Sequence, residues 1–185
     1  MMRSPRYRPE HPDFARNSQA VKDVFGLHDH QRCFIIGTGP SIAERYHPDP
    51  SALVNEFCIG VNFISRVPGW GNIVDHIVCS EYDQLKNIDT AVRVRNRFRE
   101  SKPVCWYSYF EDPHQPMEND WNFIPRDADL DIFGDEYEIA VSDWDELVLP
   151  MGGSTLFCMA VPLAVWMGFD EIYLLGCENT LDGYA

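Results

Sequence analysis

The chain has 185 residues, the length of a single domain, and 45% of them are hydrophobic, which is enough for a sizeable core. It contains 29 acidic and 15 basic residues, a net charge of −14 with the histidines neutral. This balance argues against non-specific binding to nucleic acid or to anionic membranes, because both need a cationic surface. Thirteen of the acidic residues lie between residues 111 and 146, which indicates a local insertion rather than a property of the fold.

The cysteines and the apolar runs bear on the cellular location. The six cysteines are scattered, none forms a C-x-x-C pair, and most lie in or beside apolar runs, as reduced core cysteines do. This predicts a cytoplasmic protein, and the N-terminus has no apolar stretch typical of a signal peptide. The continuous apolar run 156–169 is shorter than the about 20 residues of a membrane span. We expect a buried helix there and no membrane span, and the oligomeric state stays open, a homo-oligomer included.

Short apolar runs between turn signals predict strands over residues 33–36, 57–61, 73–79, 104–107 and 172–175. Runs this apolar are typical of strands covered on both faces, as in a parallel sheet. Helices are predicted over 18–27, 41–46, 81–100 and 154–167, the last with a kink or a late start at Pro162. Strands that alternate with helices predict an α/β fold, a Rossmann-like, doubly wound and mostly parallel sheet with helices on both faces.

The chain divides into two predicted parts. Residues 1–30 are predicted to be an N-terminal helical extension, and residues 31–185 to be the Rossmann-like domain. Within that domain, residues 111–146 combine acidic charge with prolines and show no clear period. We therefore expect them to leave the sheet as an acidic insertion or lid.

The strongest local motif is Gly37-Thr38-Gly39-Pro40-Ser41, directly after the first predicted strand. Glycines remove side chains where the backbone must turn sharply or approach a ligand. A helix that starts near Ser41 would present free N–H groups and a positive dipole end, which suits phosphate or another anion. The third glycine of G-x-G-x-x-G and the Gly-Lys ending of a P-loop are both absent. An ordinary tight turn between strand and helix is an equal alternative.

Two more motifs are expected at the same edge of the sheet. Asn62 ends the second strand, and its amide could bind a base or ribose, or it could simply form a turn. Gly153-Ser154-Thr155 opens the long apolar helix. It could form a second anion site, or its hydroxyl groups could provide a plain N-cap.

The fourth motif follows the last predicted strand. Glu178 comes after Gly176-Cys177, and Thr180 and Tyr184 follow within six residues. A final apolar strand would thus deliver a carboxylate and several polar groups to the same edge. Glu178 could hydrogen-bond a sugar hydroxyl, help to hold a metal or be solvated.

In this order, the four motifs resemble the MptE-like domain family. That family groups archaeal 6-hydroxymethylpterin diphosphokinase with bacterial motility accessory factors. The motifs also resemble bacterial sialyltransferases of the Campylobacter lipooligosaccharide type, which share a Rossmann-like fold. The resemblance covers residues 31–185, with 111–146 unmatched, and it implies that this domain binds a nucleotide.

The resemblance to the sialyltransferases implies roles for single residues. Asn62 matches their nucleotide-contacting asparagine, and Thr180 and Tyr184 take the positions of two tyrosines that hold the departing phosphate. The general-base histidine of those enzymes has no match here, so the catalytic residues stay unknown and we expect a chain truncated at its C-terminus. The implied nucleotide-binding set is Gly37, Thr38, Gly39, Pro40, Ser41, Asn62, Gly153, Ser154, Thr155, Glu178, Thr180 and Tyr184.

The resemblance implies a nucleotide or nucleotide-sugar as ligand and a transferase as the protein class. The first interpretation is glycosyl transfer from a CMP-sugar in surface-glycan synthesis, which needs no cofactor. The alternative is an ATP- and Mg²⁺-dependent diphosphokinase, in which Glu178 would lie near the metal. A non-catalytic nucleotide-binding module or fragment is the third interpretation.

Overall fold

A computed structural model describes residues 14–44, 50–67, 69–70, 73–79, 103–107, 121–124, 126–131, 147, 149–151 and 154–178. In chain order the strands are β1 (Arg32–Ile36), β2 (Phe57–Val61), β3 (His76–Cys79), β4 (Val104–Tyr107), β5 (Trp121–Phe123), β6 (Arg126–Asp131), β7 (Leu149–Met151) and β8 (Glu171–Leu175). Six of them form an all-parallel sheet in the order β5-β4-β3-β2-β1-β8, and β6 pairs with β7 in a separate parallel ladder. The described α-helices are α1 (Phe14–Asp23), α2 (Pro40–Glu44) and α3 (Val161–Trp166).

The main sheet carries apolar side chains on both faces, because successive residues of a strand point to opposite sides. On one face, Cys33 and Ile35 of β1 pack in a cluster that includes residues of α1 and α3. On the other face, Ile36 packs with Ile42 of α2 and with Ile64, which lies in the 3-10 helix after β2. The predicted α/β fold is confirmed, and the apolar runs of β1 to β4 correspond to strands that are mostly buried from both sides. The run 172–175 does not, because it forms β8 at the edge of the sheet, where Tyr173 and Leu174 are exposed.

The strand predictions are confirmed with one shortening. β2 and β4 have the predicted bounds, and β1 and β8 begin one residue earlier than predicted. The third strand begins at His76 instead of residue 73. Ile73 and Val74 are buried, but in the turn before the strand, where they join the cluster around Ile42. The Asp75 carboxylate accepts a hydrogen bond of 2.8 Å from the Cys58 N–H, and this fixes the chain where β3 begins.

Part of the acidic segment belongs to the sheet, which corrects the prediction for those residues. Trp121–Phe123 form β5, which pairs with β4 as the edge strand of the main sheet. The sequence did not predict this strand, because three residues inside a charged segment show no periodic pattern of apolar residues. Residues 126–131 pair with β7 outside the main sheet, and the rest of the expected lid lies outside the described residues.

The helix expected in residues 1–30 is α1 (Phe14–Asp23), which begins and ends four residues earlier than the predicted helix 18–27. It packs on the sheet domain, with Val21 buried and the Val21 carbonyl accepting a hydrogen bond of 2.8 Å from the Trp166 indole. The second helix is described over Pro40–Glu44, and the predicted helix 81–100 lies outside the described residues.

The helix predicted over 154–167 contains a change of winding near its proline. Leu156–Ala160 form a π-helical turn, and Val161–Trp166 continue as α3 with Pro162 in the first turn. Proline has no N–H to donate and its ring crowds the preceding turn, so a widened turn there is the local adjustment that keeps the helix continuous. Within the described part of the chain, no helix is long and apolar enough to cross a membrane.

Candidate functional site

Three of the four sequence motifs lie at the carboxyl end of the main sheet. β1 lies between β2 and β8 with all three strands parallel, so the loops that leave these strands emerge at one edge. In open parallel sheets, ligands bind outside the carboxyl ends of the strands, where neighbouring loops separate. The loop Gly37–Gly39 follows β1 and leads into α2, Asn62 follows β2, and Gly176–Glu178 follow β8.

The loops after β1 and β8 are packed directly against each other. The Gly37 N–H donates to the Leu175 carbonyl at 2.8 Å, and the Gly39 N–H donates to the Gly176 carbonyl at 2.7 Å. A Cβ atom on Gly39 would lie 2.6 Å from the Gly176 oxygen and would collide with the Glu178 carboxylate. A Cβ on Gly37 would collide with the same carbonyl oxygen.

These contacts give the two glycines a role within the protein. Their missing side chains allow the β8 loop to approach, and their N–H groups donate to its carbonyls. The same two N–H groups therefore do not point at an anion, as a phosphate cradle would require. The β8 loop therefore takes up both the space and the N–H groups of Gly37 and Gly39, so a ligand must be bound by other groups at this edge.

Gly176 is a site residue that the sequence analysis did not single out. Its φ of +61° lies in the left-handed region, and a Cβ there would collide with the Ile42 side chain and lie 2.9 Å from the Gly37 oxygen. Only glycine adopts this conformation without strain in such a crowded position. A glycine directly after an apolar strand was the signal available in the sequence.

Asn62 carries an unpaired polar atom at the end of β2. Its φ is +52°, a left-handed conformation that asparagine tolerates better than most residues, and its Oδ1 is buried without a hydrogen-bond partner. β1 and β2 are parallel neighbours, with Ile36 level with Gly60, and Asn62 begins the 3-10 helix directly after β2. Asn62 therefore lies at the same edge of the sheet as the loop after β1.

Ser41 is the second residue with an unpaired atom. The residue is 9% exposed, and its Oγ is buried without a hydrogen-bond partner. Leaving a buried polar atom unpaired costs about 1–3 kcal/mol, so such atoms are rare in folded proteins. Among the residues that the structure describes, the unpaired buried side-chain atoms are Ser41 Oγ and Asn62 Oδ1, and both belong to predicted site motifs.

The third motif is only partly described. The Phe157 N–H donates to Ser154 Oγ at 3.2 Å, so Ser154 caps the long helix, and Thr155 is buried. The helix ends at the opposite side of the sheet, where the Gly26 N–H donates to the Trp166 carbonyl before β1 begins. Its start at Ser154 therefore lies toward the carboxyl end of the sheet. Gly153, Thr180 and Tyr184 lie outside the described residues.

The β8 loop brings a carboxylate and a thiol to the site. The Glu178 side chain is exposed, with its carboxylate next to Gly39. Burial raises the pKa of the Cys177 thiol, and Glu178 raises it further, so the thiol stays protonated at neutral pH. It donates to the Leu175 carbonyl at 3.2 Å. Within the described ranges, no three His, Cys, Asp or Glu side chains are grouped to hold a metal ion.

Comparison with known proteins does not assign this site. No family model matches the chain, and no curated protein or solved structure gives a significant match. The resemblance to the MptE-like family and to the sialyltransferases therefore stays a prediction based on the motifs. The geometry at the carboxyl end of the sheet is the independent observation that bears on function.

Proposed function

We propose that the chain is a doubly wound, Rossmann-like domain that binds a nucleotide or nucleotide-sugar across the carboxyl ends of β1, β2 and β8. The observation that carries this proposal is the pair of unpaired buried atoms, Ser41 Oγ and Asn62 Oδ1, in the segments that follow the neighbouring strands β1 and β2. None of the six cysteines forms a disulfide, which supports the cytoplasmic location that we also propose.

The two unpaired atoms differ in what they can bind. An amide oxygen only accepts hydrogen bonds, so Asn62 Oδ1 needs a donor such as a ribose hydroxyl or a base amino group. A serine hydroxyl can donate as well as accept, so Ser41 Oγ can bind a phosphate oxygen or a sugar hydroxyl. A nucleotide offers both kinds of group, whereas a phosphate ion above pH 7 offers mainly acceptors.

The activity that we propose is sialyltransferase-like glycosyl transfer from a CMP-sugar in surface-glycan synthesis. Such a transfer needs groups that hold the leaving phosphate and a base that deprotonates the acceptor hydroxyl. Ser41 is our candidate for the first task, together with Thr180 and Tyr184. We assign no residue to the second task.

Calorimetric titration of the chain with CMP, CDP, AMP and ATP, each with and without Mg²⁺, tests the nucleotide site. Binding that is restricted to cytidine nucleotides and independent of metal would support the glycosyl-transfer proposal. Binding of ATP that requires Mg²⁺ would replace it by the diphosphokinase interpretation. If none of the nucleotides binds, the proposed nucleotide site is wrong.

The variant Asn62→Gly tests whether the site includes the unpaired amide. Glycine keeps the left-handed backbone and removes Oδ1, so we expect a loss of nucleotide affinity of about tenfold or more with unchanged or slightly higher stability. Asn55→Gly is the matched control, because Asn55 is exposed and lies before β2 at the other end of the sheet. Unchanged affinity in Asn62→Gly would remove Asn62 from the site.

A further inference from the structure

β8 is an edge strand whose outer side has no partner among the described residues. It pairs with β1 on its inner side, where the Leu175 carbonyl accepts a hydrogen bond from Gly37. The main-chain groups of alternate residues point to opposite sides of a strand. The main-chain N–H and carbonyl groups of Tyr173 therefore face β1, as those of Leu175 do. The N–H and carbonyl groups of Ile172 and Leu174 point outward.

β8 exposes one large apolar side chain on each face of the sheet. Tyr173 is 44% exposed and stacks on Phe34 of β1, with ring centroids 5.1 Å apart. Leu174 points to the other face and is 43% exposed. Natural edge strands are usually protected by charges, prolines or bulges, and the one charged residue of β8 is Glu171 at its beginning.

We propose that β8 pairs with β8 of a second copy of this chain, antiparallel and centred on Tyr173. The two six-stranded sheets then form one continuous sheet across a twofold axis. This surface lies at the side of the sheet, and the proposal does not depend on the nucleotide site.

The outward-facing main-chain groups of Ile172 and Leu174 determine the register of the proposed β8–β8 pair. With Tyr173 at the centre, Ile172 of each copy lies opposite Leu174 of the other, and these residues exchange four main-chain hydrogen bonds. The two Tyr173 side chains form a close, non-hydrogen-bonded pair, and Leu174 packs beside Ile172 of the second copy. Glu171 lies opposite Leu175, so no carboxylate of β8 faces another. Centring the pair one residue to either side leaves outward groups of Ile172 or Leu174 unpaired within β8.

The net charge of the chain predicts how this association responds to salt. Each copy carries a charge of −14, so two copies repel each other at long range. Salt screens this repulsion and leaves short-range apolar contacts and hydrogen bonds largely intact. We therefore expect the dimer to become tighter as salt is raised from low to physiological concentration.

Sedimentation equilibrium of the full chain over a range of concentrations tests the proposal. We expect the mass to rise from that of one chain to that of two, and Leu174→Lys to raise the dissociation constant by about tenfold or more. Leu27→Lys is the matched control, because Leu27 is 59% exposed and lies in the turn before β1, not on β8. A single-chain mass at every concentration, or a dimer that Leu174→Lys leaves intact, would overturn the proposal.

Disulfide formation tests the register. In a non-hydrogen-bonded antiparallel pair the Cα atoms are about 4.5 Å apart, so Tyr173→Cys should link two copies upon oxidation. In Glu171→Cys the new cysteines would lie about 14 Å apart along the strands, which is too far for a disulfide. The unchanged chain, oxidised in parallel, gives the background from its own cysteines. Linking by Glu171→Cys as fast as by Tyr173→Cys would contradict the proposed pairing.

Discussion

The two ends of the main sheet are built differently. At the amino end, His28, Phe57, Phe169 and His76 pack their rings together, with centroids of neighbouring pairs 4.4–5.1 Å apart. The Trp106 indole closes this cluster and donates a hydrogen bond of 2.9 Å to His76 Nδ1. At the carboxyl end, the loops approach each other through glycines.

The difference shows how stability and binding are distributed between the two ends. The buried indole N–H and imidazole Nδ1 of the amino end are paired with each other, so this end contributes to stability without an external partner. At the carboxyl end, two buried polar atoms lack a partner, a state that costs stability unless a ligand supplies the missing hydrogen bonds.

Alanine variants of two glycines, one at each end of the sheet, should show the largest difference in the free energy of unfolding. Gly26, in the turn before β1, and Gly176, after β8, have nearly the same φ, +62° and +61°. A Cβ on Gly26 would meet only Asp29 Oδ1 at 3.7 Å, whereas a Cβ on Gly176 would collide with Ile42. We expect Gly26→Ala to lower the free energy of unfolding by about 1 kcal/mol, and Gly176→Ala by roughly 2–4 kcal/mol.

Urea denaturation of both variants at one pH measures this contrast. The strain of the left-handed conformation is common to the two variants, so their difference isolates the crowding between the loops after β1 and β8. Equal losses in the two variants would show that these loops separate easily.

The buried His76 at the amino end predicts how the stability of the chain depends on pH. Burial lowers the pKa of His76 to about 3, with a further contribution from the charge of His28, so His76 stays neutral in the folded chain. In the unfolded chain it protonates near its usual pKa of about 6.5. The stability that depends on neutral His76 is therefore complete above pH 6.5 and is lost as the pH falls from there toward 3.

The variant His76→Gln isolates this effect, since glutamine can accept the hydrogen bond of Trp106 but does not titrate. Between pH 7 and pH 5 we expect the unchanged chain to lose about 2 kcal/mol more of its free energy of unfolding than the variant. Urea denaturation of both proteins at the two pH values measures this difference in the free energy of unfolding. Parallel losses in both proteins would mean that His76 is protonated in the folded state.

The fold was predictable where burial leaves a continuous apolar run. β2 and β4 have their predicted bounds because both faces of these strands are covered, so every residue is selected for apolar character. β5 was missed because its three residues gain strand structure from pairing with β4, a contact distant in sequence. The start of β3 was misplaced because Ile73 and Val74 are buried in a turn, and burial alone does not distinguish a turn from a strand.

The site was predictable in its position but not in its hydrogen bonding. Motifs after parallel strands meet at one edge of a sheet, so the sequence sufficed to bring Ser41, Asn62 and Glu178 to the same end. The use of the Gly37 and Gly39 N–H groups by the β8 loop depends on a contact between distant segments. Whether a hydroxyl or amide is left unpaired likewise depends on the packing around it, which no local pattern reports.

Alanine variants of two serines at the carboxyl end should show the smallest difference in the free energy of unfolding, and this difference tests the site most specifically. Ser154 Oγ accepts the Phe157 N–H, whereas Ser41 Oγ is buried without a partner. We expect Ser154→Ala to lower the free energy of unfolding by about 1 kcal/mol, as the loss of a helix cap does. Ser41→Ala should leave it unchanged or raise it by up to about 1 kcal/mol, because the variant removes an unpaired polar atom.

Thermal and urea denaturation of the two alanine variants, each with and without the nucleotide that binds best, distinguish a structural serine from a ligand-binding one. Added nucleotide should stabilise Ser154→Ala as much as the unchanged chain, and Ser41→Ala clearly less, since ligand stabilisation scales with affinity. If Ser41→Ala is destabilised as much as Ser154→Ala, its hydroxyl has a partner inside the protein. The carboxyl end would then resemble the amino end, with its polar groups paired internally, and Ser41 would no longer support a ligand site.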